Sequence, residues 1–300
     1  MKILLTGKDG QVGFELQRAL APLGTVVASG RATCDLADEA ALRAMVREIG
    51  PDVIVNAAAY TAVDQAESDQ ATAFAVNAAA PRILGEEAAR SGALVLHFST
   101  DYVFSGEQDR PYTEHDTPDP RNVYGLSKYQ GELALAAACP RHLILRTSWV
   151  LGAHGSNFAR TVLRLATERD TLGIVADQYG APTSAALLAD LCADLLRRQA
   201  QASALPPGTY HVAAAGTTTW YDYARFVLRQ AELAGMQLRA GADAVQPLET
   251  RAYPTPATRP RSARLDTQRF RSTFGLRLPP WEEGVRHVLQ QILESGPCTR

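Results

Sequence analysis

The segment NVYGLSKYQGE, residues 122–132, holds a tyrosine and a lysine four positions apart, Tyr124 and Lys128. On a helix this spacing places both side chains on one face, about one turn apart. A nearby ammonium favours the tyrosinate and so brings the tyrosine pKa, ordinarily about 10, closer to neutral pH, where the phenol can exchange a proton with a substrate. Because the same spacing also occurs on solvated helix surfaces, it indicates catalysis only together with other motifs.

A hydroxyl and a carboxyl group follow a predicted buried strand upstream of this tyrosine. The run ALVLHFSTDYVFSG places Thr100 and Asp101 at the carboxyl end of the strand. Thr100 is expected to donate a hydrogen bond to a substrate carbonyl oxygen and to polarise that carbonyl. His97, inside the apolar run, is interpreted as a core histidine with satisfied hydrogen bonds and not as a catalyst.

A glycine-rich loop, TGKDGQVG, follows the first predicted strand and contains Gly7, Gly10 and Gly13. Glycines at this place allow a tight turn, close approach of the backbone to a pyrophosphate, and close packing of a helix on the strand. The helix predicted to begin near Gln11 offers free N–H groups and a favourable dipole to phosphates. The loop therefore predicts dinucleotide binding.

The first half of the chain alternates short β-type runs with longer helical patterns. This alternation predicts the α/β class, with βαβ units forming a Rossmann-type, doubly wound parallel sheet. The predicted strands are KILLT, TVVAS, DVIVNAA, ALVLHFS and HLILRTS, and the helices span residues 11–21, 38–49, 67–91 and 124–138.

The second half is less regular and richer in Pro, Thr and Arg. We predict a dinucleotide-binding domain over residues 1–148 and a smaller, irregular C-terminal lobe over 149–300 that mainly binds substrate. Residues 184–213 are expected to return to the Rossmann sheet. Helices are predicted at 184–199, 219–234 and 281–294, and a strand at 209–213.

The composition favours a small-molecule partner. Of the 300 residues, 46% are hydrophobic, and the net charge of -2 gives no basic field for nucleic acid or an anionic membrane. Neither a signal peptide nor a long apolar span is recognised, which predicts a cytoplasmic protein. The cysteines are scattered without metal-site spacing, so we expect reduced thiols and no metal site at Cys34, Cys139, Cys192 and Cys298.

The glycine loop, the hydroxyl at a strand end and Tyr-x-x-x-Lys, in this order, resemble the short-chain dehydrogenase/reductase superfamily, in its extended branch that acts on nucleotide sugars. Along nearly the whole chain, further segments are similar to the dTDP-4-dehydrorhamnose reductase family: NAAAYTAVDQAE, STDYVFSG, LRTSWVLG, DQYGAPT, GTTTWYDYA and YPTPATRPRSARLDT. The resemblance implies NADPH- or NADH-dependent reduction of the 4-keto group of dTDP-4-dehydro-β-L-rhamnose to dTDP-L-rhamnose, the last step of dTDP-L-rhamnose synthesis.

The resemblance also implies a set of site residues. Thr100, Tyr124 and Lys128 would be catalytic. The cofactor would contact the glycine loop, Tyr124, Lys128 and a further group of positions: Gly10, Gln11, Val12, Asp35, Leu36, Ala59, Tyr60 and Thr61. The nucleotide sugar would contact Thr100, Asp101, Tyr124 and Trp149.

Aromatic and basic residues of the second half are candidates for substrate contacts. Trp149 follows the last strong strand and could cover the apolar side of a deoxysugar, or it could be a core tryptophan at a domain junction. Arg259, in the loop TRPRSARL, could bind a diphosphate, or the loop could be merely solvated. Trp220 and Tyr221 open a predicted helix and are interpreted as packing residues.

The end of the second strand departs from the family's pattern. Gly30 stands where many members carry an acidic residue, which in an NAD-selective site binds the ribose hydroxyls and repels a 2′-phosphate. Arg31 follows and could bind that phosphate instead. We therefore expect both cofactors to be used, with NADPH preferred.

Two alternative functions stay open at this stage. An epimerase or dehydratase of a nucleotide sugar would share the glycine loop and Tyr-x-x-x-Lys, although STDYVF offers Asp101 without the following glutamate expected of a dehydratase. A non-catalytic regulatory subunit is the other alternative, and the intact Thr100, Tyr124 and Lys128 argue against it.

For the assembly of the protein, the sequence allows a homodimer.

Overall fold

The computed structural model describes residues 1–201 and 205–294, and Cys298 lies outside them. In this part of the chain the strands are β1 (Lys2–Thr6), β2 (Thr25–Ser29), β3 (Val53–Asn56), β4 (Leu94–Thr100), β5 (His142–Thr147), β6 (Val150–Leu151), β7 (Leu172–Val175), β8 (Tyr179–Gly180), β9 (Thr183–Ser184), β10 (Gly208–His211), β11 (Thr218–Thr219) and β12 (Val245–Leu248).

The helices surround these strands and account for most of the remaining regular structure. They are α1 (Gln11–Leu20), α2 (Glu39–Ile49), α3 (Val63–Ala66), α4 (Gln70–Phe74), α5 (Ala80–Ser91), α6 (Val123–Ala138), α7 (Phe158–Glu168), α8 (Ala185–Ala200), α9 (Trp220–Leu233), α10 (Gln268–Phe274) and α11 (Trp281–Glu294).

The central sheet is parallel and has the strand order β10-β5-β4-β3-β1-β2. Alternate residues of β1 point to opposite faces: Ile3 and Leu5 pack in the core beneath α1 and α8, whereas Leu4 packs in the core beneath α2 and α5. Helices thus cover both faces, which explains why every residue of β3 and β4 is buried. The predicted doubly wound α/β fold is confirmed.

The sheet has its topological switch point at β1, because the chain passes from β1 to β2 on one side and to β3 on the other. Open α/β sheets bind ligands beyond the carboxyl ends of the strands at such a point. The last residues of these two strands, Thr6 and Asn56, are joined there by a side-chain hydrogen bond of 2.7 Å. The fold therefore directs attention to the loops that follow β1 and β3.

The second half of the chain has a core of its own, built around Leu163, Tyr223, Val227 and Trp281. Small strand pairs support it, namely β7 with β12, β8 with β11, and β6 with β9. In contrast, β10 pairs with β5 and α8 packs on α1, so this segment lies on the central sheet. The division into domains at residue 148 stays a prediction.

The predicted helix over residues 67–91 is confirmed from residue 70 onward, but it starts three residues later and has an irregular middle. The structure has the short helices α3 and α4, then a π-helical segment at Ala75–Ala79, and only then α5. Within the π-helical segment the buried Asn77 side chain hydrogen-bonds the backbone N–H and C=O of Tyr60 and the hydroxyl of Ser127. π-helical turns are often found at functional sites, and this one ties the loop after β3 to α6.

Other features of the described residues concern membranes and thiols. No helix in residues 1–201 and 205–294 is long and apolar enough to cross a bilayer. Cys34, Cys139 and Cys192 are free and buried.

Candidate active site

A cleft of about 680 Å³ opens at the carboxyl edge of the central sheet. It brings together residues that the sequence predicted separately, from the glycine loop to the second half of the chain. Those lining it are Gly7, Gly10, Gln11, Val12, Arg31, Asp35, Leu36, Ala59, Tyr60, Thr61, Thr100, Asp101, Tyr124, Lys128 and Trp149. Gly13 and Arg259 are not among the lining residues.

The glycine loop is shaped by close backbone contacts. Gly7 has φ +78°, and a Cβ there would lie 2.6 Å from the backbone nitrogen of Ala58. A Cβ on Gly13 would lie 1.9 Å from the carbonyl oxygen of Gly7, so Gly13 serves the packing of α1 against the loop and need not line the cleft. Gly10 precedes α1 without a side-chain cap on the helix N–H groups. Gly10, Gln11 and Val12 line the cleft, so this helix N-terminus offers a place for a pyrophosphate.

Helix α6 carries the tyrosine and the lysine, and two glycines seat it deeply. A Cβ on Gly125 would lie 2.1 Å from the carbonyl oxygen of Tyr102, and one on Gly131 would lie 2.0 Å from that of Asn77. Asn122 caps the helix through its side-chain oxygen, which accepts from the Gly125 N–H at 2.8 Å. The backbone of α6 therefore lies close to the end of β4, where Tyr124 and Lys128 can reach the cleft.

Lys128 is almost completely buried, with 1% exposure. Its Nζ donates to the carbonyl oxygen of Phe98 at 2.7 Å and lies 3.2 Å from Nε2 of His97. Burial lowers the pKa of Lys128 to about 8, and Glu132 offsets part of this effect. The ammonium and the neutral amine are therefore both accessible near physiological pH.

His97 is buried and hydrogen-bonded, as the sequence suggested, but its partner is the lysine that lines the cleft. Its Nδ1 lies 3.0 Å from Nδ2 of Asn56, and its pKa is lowered by burial and by the charge of Lys128. Sequence reasoning missed this contact. The parallel register makes Asn56 of β3 and His97 of β4 neighbours, but it does not place Lys128 of α6, so the contact with the lysine has no local sequence signal.

The surroundings of Tyr124 differ from the sequence expectation. Tyr124 lines the cleft and is partly exposed, and desolvation of its phenol raises the pKa of Tyr124 to about 12. A hydrogen bond with Thr100 offsets part of the shift, and the charge of Asp101 adds to it. The expected lowering of this pKa by Lys128 is not found, because the Lys128 ammonium is bound to the Phe98 carbonyl oxygen and lies beside His97, and it contributes nothing to the shift. At neutral pH the site thus holds a protonated phenol, the form that can act as an acid.

Thr100 donates its hydroxyl proton to Asp101 at 2.8 Å and accepts from the backbone N–H of Tyr102 at 3.1 Å. The second carboxylate oxygen of Asp101 accepts from Ser148 at 3.1 Å. Burial raises the pKa of Asp101 to about 6, and these hydrogen bonds reduce the shift. In this arrangement Thr100 donates to Asp101, so donation to a substrate oxygen requires its hydroxyl to rotate.

Two tryptophans form one aromatic wall of the cleft. The ring centroids of Trp149 and Trp220 lie 3.6 Å apart and the rings are nearly parallel. Trp149 has φ +45°, a left-handed conformation that is strained for a bulky residue, and a Cβ on Gly180 would lie 2.5 Å from its ring. Trp220 also lines the cleft. The interpretation of Trp220 as a packing residue was therefore incomplete.

Arg259 lies outside the cleft lining and is held by an ion pair. Its Nη2 lies 2.7 Å from Oδ2 of Asp64, and its Nη1 lies 2.8 Å from Oδ1. The pair joins the C-terminal loop to α3. A contact between residues this far apart in the chain leaves no local pattern, so the sequence did not indicate it.

Nearly the whole chain matches known proteins. Residues 1–294 match the family described as RmlD substrate binding domain. A dTDP-4-dehydrorhamnose reductase of Salmonella typhimurium is 49% identical over 299 residues, covering 98% of this chain and 99% of that protein. The chain belongs to the dTDP-4-dehydrorhamnose reductase family.

Solved structures from the same family agree in fold. A dTDP-4-dehydrorhamnose reductase of Clostridium acetobutylicum has a TM-score of 0.90 and 33% identity, covering 98% of this chain and all of the other, 100%. One of Bacillus anthracis, in complex with NADP, has a TM-score of 0.88 and 33% identity, covering 97% of this chain and 99% of the other. The family resemblance expected from the sequence motifs is confirmed.

A pH titration of Lys128 checks the geometry around it. The sequence contains three lysines, Lys2, Lys8 and Lys128, so protein labelled with ¹³C at lysine Cε gives few NMR signals. Because burial lowers the pKa of Lys128 to about 8, its signal should titrate with a midpoint near 8. If the ammonium is the working form, kcat/KM for a ketone reduction should also fall as pH rises through this value.

Single replacements assign the lysine signals. Lys128→Arg removes the signal in question, and Lys2→Arg and Lys8→Arg each remove one of the others. A Lys128 midpoint at or above its ordinary value of about 10.4 would contradict the burial seen here.

Proposed function

We propose that this protein reduces the 4-keto group of dTDP-4-dehydro-β-L-rhamnose to give dTDP-L-rhamnose, using NADPH or NADH. The observation that carries the proposal is the meeting of the glycine loop with Thr100, Tyr124 and Lys128 in one cleft. Membership of a family whose curated relatives carry the name of this activity supports the same conclusion. This reduction would be the last step of dTDP-L-rhamnose synthesis.

The roles proposed for the side chains follow from their surroundings. A bound reduced nicotinamide supplies the hydride to the carbonyl carbon. Tyr124, a protonated phenol at neutral pH, donates the proton to the carbonyl oxygen. Lys128, which lines the cleft from α6, can hold a ribose hydroxyl of the cofactor. Thr100, steadied by Asp101, orients the carbonyl.

The aromatic wall is proposed to receive the sugar. A 6-deoxyhexose has one largely apolar face, and the paired rings of Trp149 and Trp220 present an apolar surface to the cleft. The other contacts that we propose for the sugar are Asp101 and Tyr124. Arg259 is not proposed as a direct contact of the sugar, because its guanidinium is bound to Asp64.

The cofactor is proposed to lie across the switch point, with its pyrophosphate at the N-terminus of α1. The solved relative from Bacillus anthracis in complex with NADP supports use of the phosphorylated cofactor. The adenosine end would then lie near Arg31, Asp35 and Leu36, and the nicotinamide near Tyr124 and Lys128. Ala59, Tyr60 and Thr61 also line the cleft and are proposed to contact the cofactor.

The alternative activities make different use of the cofactor. An epimerase or a dehydratase returns the hydride to its sugar and consumes no net cofactor, and a regulatory subunit consumes none. Residue 102, after the Thr100-Asp101 pair, is a tyrosine and not an acid. The test is the loss of nicotinamide absorbance when the protein, NADPH and the dTDP-4-keto-6-deoxy sugar are mixed. We expect one cofactor oxidised for each sugar, and no net oxidation would contradict the proposal.

A further prediction concerns the nucleotide part of the substrate. If the lobe of residues 149–300 binds the dTDP group, this binding energy should support turnover as well as affinity. The free 4-keto sugar should therefore show a much lower kcat/KM than its dTDP-linked form. Equal values for the two substrates would contradict this role of the lobe.

The proposed setting is the cytoplasm. Cys34, Cys139 and Cys192 are free thiols, as expected where disulfides are kept reduced.

A homodimer is proposed as the simplest assembly. Analytical ultracentrifugation tests it, and a single monomeric species would contradict it.

A further inference from the structure

Gly30 lies at the end of β2, where a side chain would collide with the glycine loop. A Cβ built on Gly30 would lie 2.0 Å from Oδ2 of Asp9 and 3.1 Å from its Cγ. The carboxylate of Asp9 thus occupies the space that a side chain at position 30 would fill. The absence of a side chain at position 30 therefore leaves the room that the Asp9 carboxylate needs.

Backbone contacts hold the loop and the strand end together. The N–H groups of Gly7 and Lys8 both donate to the carbonyl oxygen of Ser29, at 2.9 and 3.2 Å. On the other side, the hydroxyl of Thr33 donates to the carbonyl oxygen of Gly30 at 2.8 Å. These hydrogen bonds hold the backbone of the glycine loop against the end of β2, and Asp9 in the loop therefore lies beside Gly30.

Asp9, Gly30 and Arg31 all line the cleft. In a dinucleotide site, an acid at the end of the second strand accepts hydrogen bonds from the 2′-hydroxyl of the adenosine ribose and repels a 2′-phosphate. A carboxylate that reaches the same place from the glycine loop has the same chemistry. The side chain of Arg31 is 84% exposed and its ion pair with Asp35 is long, at 3.5 Å, so it can turn toward a phosphate.

We propose that Asp9 is a specificity-determining residue for the cofactor, supplying from the glycine loop the carboxylate that Gly30 lacks. Asp9 favours NADH by binding the ribose 2′-hydroxyl, and Arg31 favours NADPH by binding the 2′-phosphate. The two residues oppose each other, and the chain accepts both cofactors. This inference rests on the cofactor part of the proposed function and does not depend on which sugar is reduced.

Binding of the two cofactors tests the proposal without any turnover. The dissociation constants of NADH and NADPH are measured by nicotinamide fluorescence in the absence of sugar. Asp9→Asn keeps the shape and removes the charge, so the preference for NADPH over NADH should rise about tenfold, the value of one hydrogen bond to a charged group. Arg31→Ala should move the same ratio in the opposite direction.

Matched variants separate a local effect from a change in net charge. Asp190→Asn removes an acid that does not line the cleft and should leave the ratio unchanged. In the double variant Asp9→Ala with Gly30→Asp the carboxylate moves from the loop to the strand, and the ratio should return toward that of the wild type. Restoration would show that the position of the charge matters and not the residue that carries it.

The outcomes are distinct. An unchanged ratio in Asp9→Asn, or a shift equal to that of Asp190→Asn, overturns the inference about Asp9 and leaves the proposed reductase activity standing. Failure of the wild-type protein to bind either cofactor overturns the proposed function and this inference with it.

Discussion

Replacing Tyr124 with phenylalanine should lower kcat by about 10²–10⁴-fold, the usual contribution of a positioned acid or base. The phenyl ring keeps the packing of α6, including the edge-to-face contact with Tyr102 at 5.5 Å, and only the hydroxyl is lost. Cofactor affinity should therefore change little. The measurements are single-turnover reduction and fluorescence titration with NADPH on the same preparation.

Tyr129→Phe is the matched control. It removes a hydroxyl from the same helix at a residue that packs beside Phe104 and Tyr112 and does not line the cleft. This variant should keep its kcat. If Tyr124→Phe retains more than about a tenth of the wild-type kcat, the loss falls short of the range for a positioned acid, and another group must supply the proton.

Replacing Arg146 with methionine should lower the free energy of unfolding by about 3–5 kcal/mol, the typical cost of breaking a buried ion pair. Arg146 lies on β5 with its Nη2 2.6 Å from Oε2 of Glu132 on α6, and the two side chains are 5% and 4% exposed. Methionine would leave Glu132 buried without its partner. Since Glu132 lies one turn after Lys128, the same change should loosen the helix that carries the lysine.

Urea denaturation measures this effect, and Arg239→Met is its control. Arg239 also pairs with an acid, Asp170, at 2.9 Å, but both side chains are more than half exposed, at 57% and 77%. Exposed pairs contribute about 0–1 kcal/mol. If Arg146→Met destabilises no more than Arg239→Met, the pair between β5 and α6 does not anchor the site.

The sheet was predictable from the sequence because its signals are local. Each of the strands β1 to β5 is a short apolar run, and the helices between them carry apolar residues at helical spacing. The glycine loop follows β1 directly and Tyr124-x-x-x-Lys128 begins the helix after β4, so their place at the carboxyl edge of the sheet could be predicted from the sequence.

The second half was harder to predict for physical reasons. Strands of two residues, such as β6 and β9, are too short to show an alternating pattern, and they exist only because they pair with each other. Helix α7 does carry a signal, since Asn157 caps it and Phe158 begins an amphipathic run. Helix α7 was not predicted from the sequence, because the loops on both sides of it are irregular.

Contacts between distant segments account for what was missed in the site. His97 of β4 contacts both Asn56 of β3 and Lys128 of α6, and Trp220 of α9 stacks on Trp149, which lies between β5 and β6. None of these pairs leaves a pattern in neighbouring positions. The pKa of Tyr124 was misjudged for a related reason, because the desolvation that raises it depends on the packed environment.

The central claim is that hydride passes from the nicotinamide to carbon 4 of the nucleotide sugar and stays there. The direct test uses NADPH deuterated at the transferred position of the nicotinamide, with product analysis by NMR. The account predicts dTDP-L-rhamnose with deuterium at carbon 4, formed in step with cofactor oxidation, and no such transfer by Tyr124→Phe in the same time. Product without deuterium at carbon 4, or sugar conversion with the label retained on the cofactor, would contradict it.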